Sequence, residues 1–490
     1  MKKEELQRLR FRNQYLITPN SVKCPFLYKN YKISDTHQLY AHIDLKVTVA
    51  DLDGAKICLL GDLFDYQNPE KLNSDILLDL LNIDFQEILI KIGAYSGSFI
   101  LIYHRGNDLK LIHDATATRK IFYCNRDHEV WFSSQPQLLA NILDLNKTTN
   151  PELLNYYKSP QFTQQNNANI GNTTIYDDIR QLMPNHFYDV SSISTIRYWP
   201  NRKTEYIAMK VVMENCAKMV KGFMESITNR YEVMLPVTAG KDSRTLLAAT
   251  KNFSERIYYY INKERHMDDR HPDIAIPKKV LHHLNLKFHV LDPYINIDDD
   301  FKRIYYENNE FASKEYLPII YNYYFNFRDK VNLPGNTASA GEEWFMGAKM
   351  PISGKNLAKK NRVNRWNYAI EYYEQWIREI KEHCPENNIC MLNLFYWEER
   401  CANWGIKIQL DKDIAQEDIN PFNSRDLIMQ YYSVQPKYLE FPYFRLHHEV
   451  INHLWPEVLK ISINKSWRTT FLKVLKFLGI LKVYFRIKYT

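Results

Sequence analysis

Glycine is in short supply in this chain. There are 14 glycines among 490 residues, roughly 3% where about 7% is usual. That excludes a glycine-rich flexible polymer and makes each glycine a position where the backbone needs a reason. Paired cysteines are lacking too. Cys24, Cys58, Cys124, Cys216, Cys384, Cys390 and Cys401 are odd in number, irregular in spacing and contain no C-x-x-C. A zinc ribbon or a disulfide framework is therefore not expected, and a reducing cytoplasm fits the pattern. No run of 18 apolar residues offers a spanning helix. The opening MKKEELQRLRFRNQ is charged and has no apolar core, so no secretory signal is expected. Repeats and low-complexity linkers are missing. Strong charge of one sign is missing as well: Lys+Arg 64 against Asp+Glu 57 leaves a formal +7. That permits an anionic ligand or surface without calling for nucleic acid.

What is present is an ordinary globular balance, 45% hydrophobic and 25% charged, in a chain long enough for about two to three domains. Residues 1–204 read mainly as strands and turns. QLYAHIDLKVTVADLDGAKICLLGDLF has β-branched and aromatic runs around a hairpin signal at Asp53-Gly54, and SFILIYHRGNDLKLIHDA turns at Gly106-Asn107-Asp108. NSDILLDLLNI has a helical cap and period. From residue 205 the pattern changes. A long amphipathic helix (EYIAMKVVMENCAKMVKGFMESITNRY) leads to EVMLPV, a turn TAGKDS and a helix start RTLLAAT. RIYYYINK, PDIAIPKKVLHHLNL and KFHVLD continue the alternation. Strand and helix in alternation predict a parallel sheet covered on both faces. Residues 295–465 read as largely helical, and 466–490 as a basic, apolar tail.

The turn Val237-Thr238-Ala239-Gly240-Lys241-Asp242-Ser243 carries the most chemistry. A buried strand that turns tightly into a helix aims backbone N–H groups and a helix dipole at one spot, which suits phosphate. Thr238 and Ser243 add hydroxyls and Lys241 adds charge. Asp242 would repel a phosphate unless it holds a divalent cation on it. Local chemistry leaves an ordinary strand–turn–helix junction with an N-cap Asp or Ser equally open.

The segment resembles the S-G-G-x-D-S loop of the ATP pyrophosphatase (PP-loop) superfamily, and the residues after it resemble the asparagine synthetase branch of that superfamily. The strand Tyr258-Tyr259-Tyr260-Ile261, then Asp273, then Lys287-Phe288-His289 stand in the expected order. Thr238 replaces Ser. Ala239 replaces Gly, at a cost if that position needs positive φ. Pro334-Gly335 through Gly347 resembles the family's S-G-x-G-x-D-E-L-F-G-G stretch. The resemblance implies a metal held by Asp242 and Glu342, with Glu343 in place of the following Glu and Ser339 where an acidic group is common. A glycine-rich surface loop is the plainer reading. Tyr396 to Arg400 and Pro421-Phe422-Asn423-Ser424-Arg425 resemble the family's Arg-containing helix and P-F-L-D turn. Arg400 and Arg425 are thus candidates to clamp a carboxylate or nucleotide, with helix-surface arginines paired with Glu399 or Asp426 equally open. Lys465 loosely resembles its late, pyrophosphate-neutralising lysine.

In the first half, Gly61-Asp62-Leu63-Phe64-Asp65, Gly93, Gly97-Ser98-Phe99, Asp114 and Arg119-Lys120-Ile121-Phe122-Tyr123 resemble class II glutamine amidotransferase domains. Those use an N-terminal cysteine. Here the chain starts Met1-Lys2-Lys3, and Asp65 replaces an amide donor, so glutaminase chemistry is not expected. The resemblance implies an α+β N-terminal Ntn-hydrolase-like sandwich followed by an α/β parallel-sheet PP-loop domain (adenine nucleotide alpha hydrolase-like) with a helical C-terminal extension. It implies ATP and Mg²⁺ as cofactors. ATP contacts fall on Val237, Thr238, Gly240, Lys241, Asp242, Ser243, Ile261 and Gly335, metal contacts on Asp242 and Glu342, and catalytic roles on Glu343, Arg400 and Lys465. The activity implied is ATP-dependent amide formation on a small-molecule, sugar or peptide carboxylate. Nitrogen would come from free ammonia, a separate donor or an amine on the substrate. The alternative is an inactive relative that binds or scaffolds. His282-His283 and His447-His448 with His453 are read as solvated or packing histidines, because their spacing is poor for a shared metal. The tail could lie on an anionic membrane surface, though a terminal helix docked on the protein explains it as well.

Overall fold

The computed structural model describes residues 1–264, 266–292, 296–342, 351–384, 389–405 and 407–463, together with Leu472, Val474, Leu475 and Leu478. Twelve of its strands build two antiparallel sheets. They are β1 (Tyr15–Thr18), β2 (Tyr28–Lys32), β3 (Gln38–His42), β4 (Val47–Leu52), β5 (Ala55–Asp65), β6 (Tyr95–Arg105), β7 (Asp108–His113), β8 (Phe122–Arg126), β9 (Glu129–Ser133), β10 (Ile179–Gln181), β11 (His186–Asp189) and β12 (Ser194–Arg197). One sheet runs β10-β8-β9-β1-β3-β2 and the other β12-β11-β7-β6-β5-β4. Asp53 and Gly54 both take positive φ (48° and 76°). That is what a two-residue hairpin needs to match strand twist, and it pairs Leu52 with Ala55.

The two sheets face one another across Tyr15, Leu39, Leu60, Ile102, Phe132 and Tyr188. Helices Asn73–Leu81 and Phe85–Lys91 cover the outer face of the second sheet through Ile76, Leu80 and Ile88. The outer face of the first sheet is covered differently. Leu16, Tyr40 and Trp131 share one apolar cluster with Tyr373, Trp376, Phe395 and Trp397 from the far end of the chain. The two halves therefore have a core in common.

The second half is built on a parallel sheet of β13 (Val233–Pro236), β14 (Ile257–Asn262), β15 (His289–Leu291) and β16 (Val331–Asn332), in the order β15-β14-β13-β16. Alternation sends Val233 and Leu235 to one face and Met234 to the other. The first face is covered by helix Met209–Arg230, whose Val212, Cys216, Val220, Phe223 and Ile227 recur at helical spacing, and by helix Arg445–Leu454. The opposite face packs on Phe301, Ile304, Tyr305, Ile320 and Tyr323. The stretch expected to be largely helical thus also contributes β16, whose two residues are too few to leave a sequence period.

Strand order reverses between β13 and β16. The chain moves outward from β13 to β15, then crosses back to the other side of β13. Open parallel sheets hold ligands at such a reversal, beyond the carboxyl ends of the strands. The turns that leave β13 and β16 meet there.

Candidate functional site

β13 ends at Pro236, and the helix Lys241–Ala249 begins after four intervening residues, with Gly240 as its N-cap. Glycine has no side chain to cap the helix, so the first-turn amides of Lys241, Asp242 and Ser243 lack both an intrahelical acceptor and a side-chain cap. The turn before them is held by its own side chains. Ser243 Oγ accepts from Thr238 N at 3.0 Å, Thr238 Oγ1 accepts from Gly240 N at 3.2 Å, and Asp273 Oδ1 accepts from Ala239 N at 2.9 Å. Ala239 does not take positive φ, so the expected cost of losing glycine there does not arise. Val237 is buried beneath the turn, and Ile261 is buried near the end of β14.

Beyond β16, a 3-10 turn over Asn336–Gly341 delivers Glu342 to the same place. Gly335 is what lets it approach. A Cβ there would lie 3.2 Å from Asp242 Cβ and 3.3 Å from the Asp242 carbonyl carbon. The two metal-ligating residues expected from the sequence, Asp242 and Glu342, are brought together by this packing.

A third residue joins them. His447, on helix Arg445–Leu454, is wholly buried and places Nε2 3.2 Å from Glu342 Oε1. One ligand atom from each of Asp242, Glu342 and His447 lies within 4.8 Å of the others, the one such group found among the described residues. Of the two sequence readings of His447, solvated or packing, the structure shows the packed one, its ring 5.0 Å from that of Tyr431. No neighbouring residue in the sequence signals its placement beside the two carboxylates, because the helix that carries His447 returns from about a hundred residues away.

Lys241 lies across the cluster. Its Nζ is 2.8 Å from Glu342 Oε1 and 3.1 Å from Asp242 Oδ1, and it sits 4.3 Å from the centre of the Phe444 ring. The charges act on each other. Burial would push the Glu342 carboxyl up, but Lys241 and His447 overcome it and hold the group at about 2. Burial pushes Asp242 above its ordinary value, against the pull of Lys241. Burial works against the Lys241 ammonium, yet Asp242 and Glu342 raise it above the ordinary lysine value. The spot is thus built for positive charge.

Arg400 lies on a π-helical segment, Tyr396–Gly405, that flanks the 3-10 turn: Tyr396 donates to Ser339 Oγ at 3.1 Å and Asn336 donates to Gly405 O at 3.0 Å. Arg400 itself donates to the Gln165 side chain at 2.6 Å and stacks 4.3 Å from the Trp404 ring centre. Arg425 is committed elsewhere, over the Tyr198 ring and bonded to Asn185 and Tyr198 of the first half; that corrects its reading as a ligand clamp. Asn423 also ties the halves, donating to Gly97 O at 2.6 Å and Asp114 at 2.8 Å and accepting from Thr116. Glu343, Lys465 and most of the tail lie outside the described residues. Arg244, buried, holds the chain short of Lys465 by donating to Val458 O and Ile461 O.

The first half shows no primed thiol. Cys24 is pushed up to about 11 by burial, and Cys58 and Cys124 are also raised by burial, the reverse of an activated nucleophile. Asp65 accepts from Gln67 N and the Asn68 side chain. No helix among the described residues is long and apolar enough to cross a membrane.

No protein-family model matches the chain, and no curated protein matches it in sequence. Two solved structures are similar at low level. One is glutamine phosphoribosylpyrophosphate amidotransferase from B. subtilis complexed with ADP and GMP, 9% identical with a TM-score of 0.24, covering 56% of this chain and 66% of that one. The other is described as the allosteric regulatory enzyme of purine biosynthesis, 10% identical with a TM-score of 0.25, covering 56% and 65%. The match spans less than two thirds of either protein, and at such TM-scores it carries no argument about this chain.

Proposed function

We propose that the chain is an ATP-dependent, amide-forming ligase of asparagine synthetase type that works without a glutaminase of its own. One observation supports this above others: the turns leaving β13 and β16 meet at the reversal of a parallel sheet, with uncapped helix amides beside two carboxylates that face a single cation position. The donor set fits a divalent metal: Asp242 Oδ1, Glu342 Oε1 and His447 Nε2 are buried atoms without a hydrogen bond of good geometry among the described residues, and the two oxygens are met only by the Lys241 cation, 3.1 and 2.8 Å away, and by the imidazole. Asp242 and Glu342 would hold Mg²⁺, which when bound spreads the negative charge of the phosphates.

The chain's own groups account for the rest. The amides of Lys241, Asp242 and Ser243, with the hydroxyls of Thr238 and Ser243, cradle the β- and γ-phosphates. Ile261 and Gly335 border the nucleotide. A substrate carboxylate oxygen attacks the α-phosphorus, the bond from α-phosphorus to the bridging oxygen breaks, and pyrophosphate leaves. An amine then attacks the acyl carbon, AMP departs with the bonding pair, and the surplus proton passes to a base, the role assigned to Glu343. Lys465 neutralises the leaving pyrophosphate. Arg400 has no carboxylate partner among the described residues and meets an anionic group of the substrate. Ammonia or another amine serves as the nitrogen source.

A second reading is supported by the same turn. The amides of Thr238, Ala239 and Gly240 are already bonded, and Lys241 already neutralises the carboxylates, as in a chain that binds or scaffolds without turnover. Pyrophosphate release over a panel of carboxylates separates the two. Carboxylate-dependent release that falls at least about 100-fold in Asp242→Ala supports the ligase. Nucleotide binding without release supports the second reading, and an absence of nucleotide binding removes both.

A further inference from the structure

The cluster at Asp242, Glu342 and His447 has a feature that an oxygen-only magnesium site does not need. His447 has no exposed surface, and neither of its ring nitrogens makes a hydrogen bond among the described residues. A buried imidazole normally orients itself on a partner. Here Nε2 stands 3.2 Å from Glu342 Oε1 without the alignment of a hydrogen bond, and Glu342 Oε1 and Asp242 Oδ1 have only the charge of Lys241 beside them, itself not aligned as a hydrogen bond. The Tyr431 ring, 5.0 Å away centre to centre, packs on the imidazole and limits its rotation. The helix carrying His447 is anchored by Leu446, Val450 and Ile451 in the core against Met209–Arg230. The ring is thus set in place by packing and aimed into the cluster.

We infer that His447 is a third protein ligand of the cation held by Asp242 and Glu342, and that the site prefers a nitrogen-accepting first-row divalent ion, Mn²⁺ in the assay below, over Mg²⁺. This rests on the proposed reading of Asp242 and Glu342 as metal ligands and goes beyond it in the ion it selects. Mg²⁺ is hard, takes oxygen donors and keeps much of its water. First-row transition ions accept imidazole nitrogen more readily than Mg²⁺ does; Mn²⁺ is the weakest binder of that series, so a preference for it over Mg²⁺ is the most demanding case, and its unpaired electrons report the bound nitrogen.

Lys241 supplies a consequence. Its ammonium lies against the same two oxygens that a metal would use, Glu342 Oε1 and Asp242 Oδ1. Metal and ammonium are mutually exclusive there. When the ion enters, Lys241 must swing off on its flexible stem. Its root at the first helical position leaves the freed charge beside the open amides of the phosphate cradle. The lysine is a competitor for the metal and, once displaced, a donor for the anion.

The test uses the full chain, free of nucleotide, so that failure of the ligase activity does not touch it. Mn²⁺ binding is followed by the loss of the free-ion electron paramagnetic resonance signal, and Mg²⁺ by competition. Pulsed resonance on the wild-type complex reports a directly bound nitrogen without any variant. The expected results are a ¹⁴N coupling, Mn²⁺ held at least about tenfold more tightly than Mg²⁺, loss of both in His447→Gln, and tighter Mn²⁺ binding in Lys241→Met. Bound Mn²⁺ without nitrogen coupling would overturn the inference. So would Mg²⁺ held as tightly as Mn²⁺ by the wild type, or no Mn²⁺ uptake at all. Absence of pyrophosphate release alongside nitrogen-coupled Mn²⁺ would overturn the ligase reading alone.

Discussion

At the scale of single residues, charge burial dominates. Glu399 is buried and its carboxyl is pushed up to about 7, by burial first, with Gly171 N and the Tyr373 hydroxyl pulling the other way. Asp413 is pushed up to about 8 by burial, against Arg119. Lys120, also buried and donating to Ala402 O, is brought down to about 7 by burial. For the two acids the folded state holds its proton more tightly than the unfolded chain, so stability is full below the unfolded values and is lost as pH rises through 7 to 8. For Lys120 the folded state prefers the neutral amine, so stability is regained between about 7 and the ordinary lysine value. Denaturant melts from pH 4 to 10 should show a decline to near pH 7, little change between 7 and 8 where the Asp413 loss and the Lys120 gain offset, and a partial recovery above that. Glu399→Gln should flatten the lower limb. Gly335→Ala is a steric case. Its added methyl meets the Asp242 backbone, and the expected cost is about 1–3 kcal/mol, read as a drop in Tm together with weaker metal binding.

Among the elements, helix Lys241–Ala249 does two jobs through adjacent residues. Its first turn faces the site, while Arg244, one turn in, runs to carbonyls at Val458, Ile461 and Ser462. Burial lowers Arg244 to about 10, and no carboxylate among the described residues pairs with it. The arginine thus holds the chain short of Lys465 against the helix that begins at the phosphate turn. Replacing it with Met leaves buried carbonyls unpartnered, at about 1–3 kcal/mol each where water cannot enter. Arg244→Met should lower Tm and open the 458–463 segment to limited proteolysis, with cleavage mapped by mass spectrometry.

For the whole molecule, the shared cluster is decisive. Leu16, Tyr40 and Trp131 of the sandwich are in one core with Tyr373, Trp376 and Trp397, and Asn423 is bonded on every side to the first half. A fragment of residues 205–490 should therefore fail to fold alone, leaving a large apolar face exposed. Circular dichroism should show no cooperative melt for the fragment and a single transition for the full chain. Asn423→Ala, which strands buried partners at Gly97, Asp114 and Thr116, should cost about 2–4 kcal/mol and lower the Tm of that transition.

Local pattern by itself determined much of this protein. The hairpin at Asp53-Gly54, the helix at residues 73–81 and the alternation from β13 through β15 all rest on signals a few residues long, such as a turn dipeptide, a cap or a period, whereas the pairing of Asp242 with Glu342 is expected only from a resemblance to a family. Tertiary structure alone decided what has no local signature. β16 is too short to show alternation and exists because β13 offers it an edge. Ala239 escapes strain because Asp273, thirty-four residues on, holds its amide. Arg425 turns to Tyr198 and Asn185 because the first half lies there. His447 reads as one more helical histidine until packing carries its helix across the sheet to the two carboxylates. A metal ligand is defined by convergence in space, and convergence is a property of the folded core.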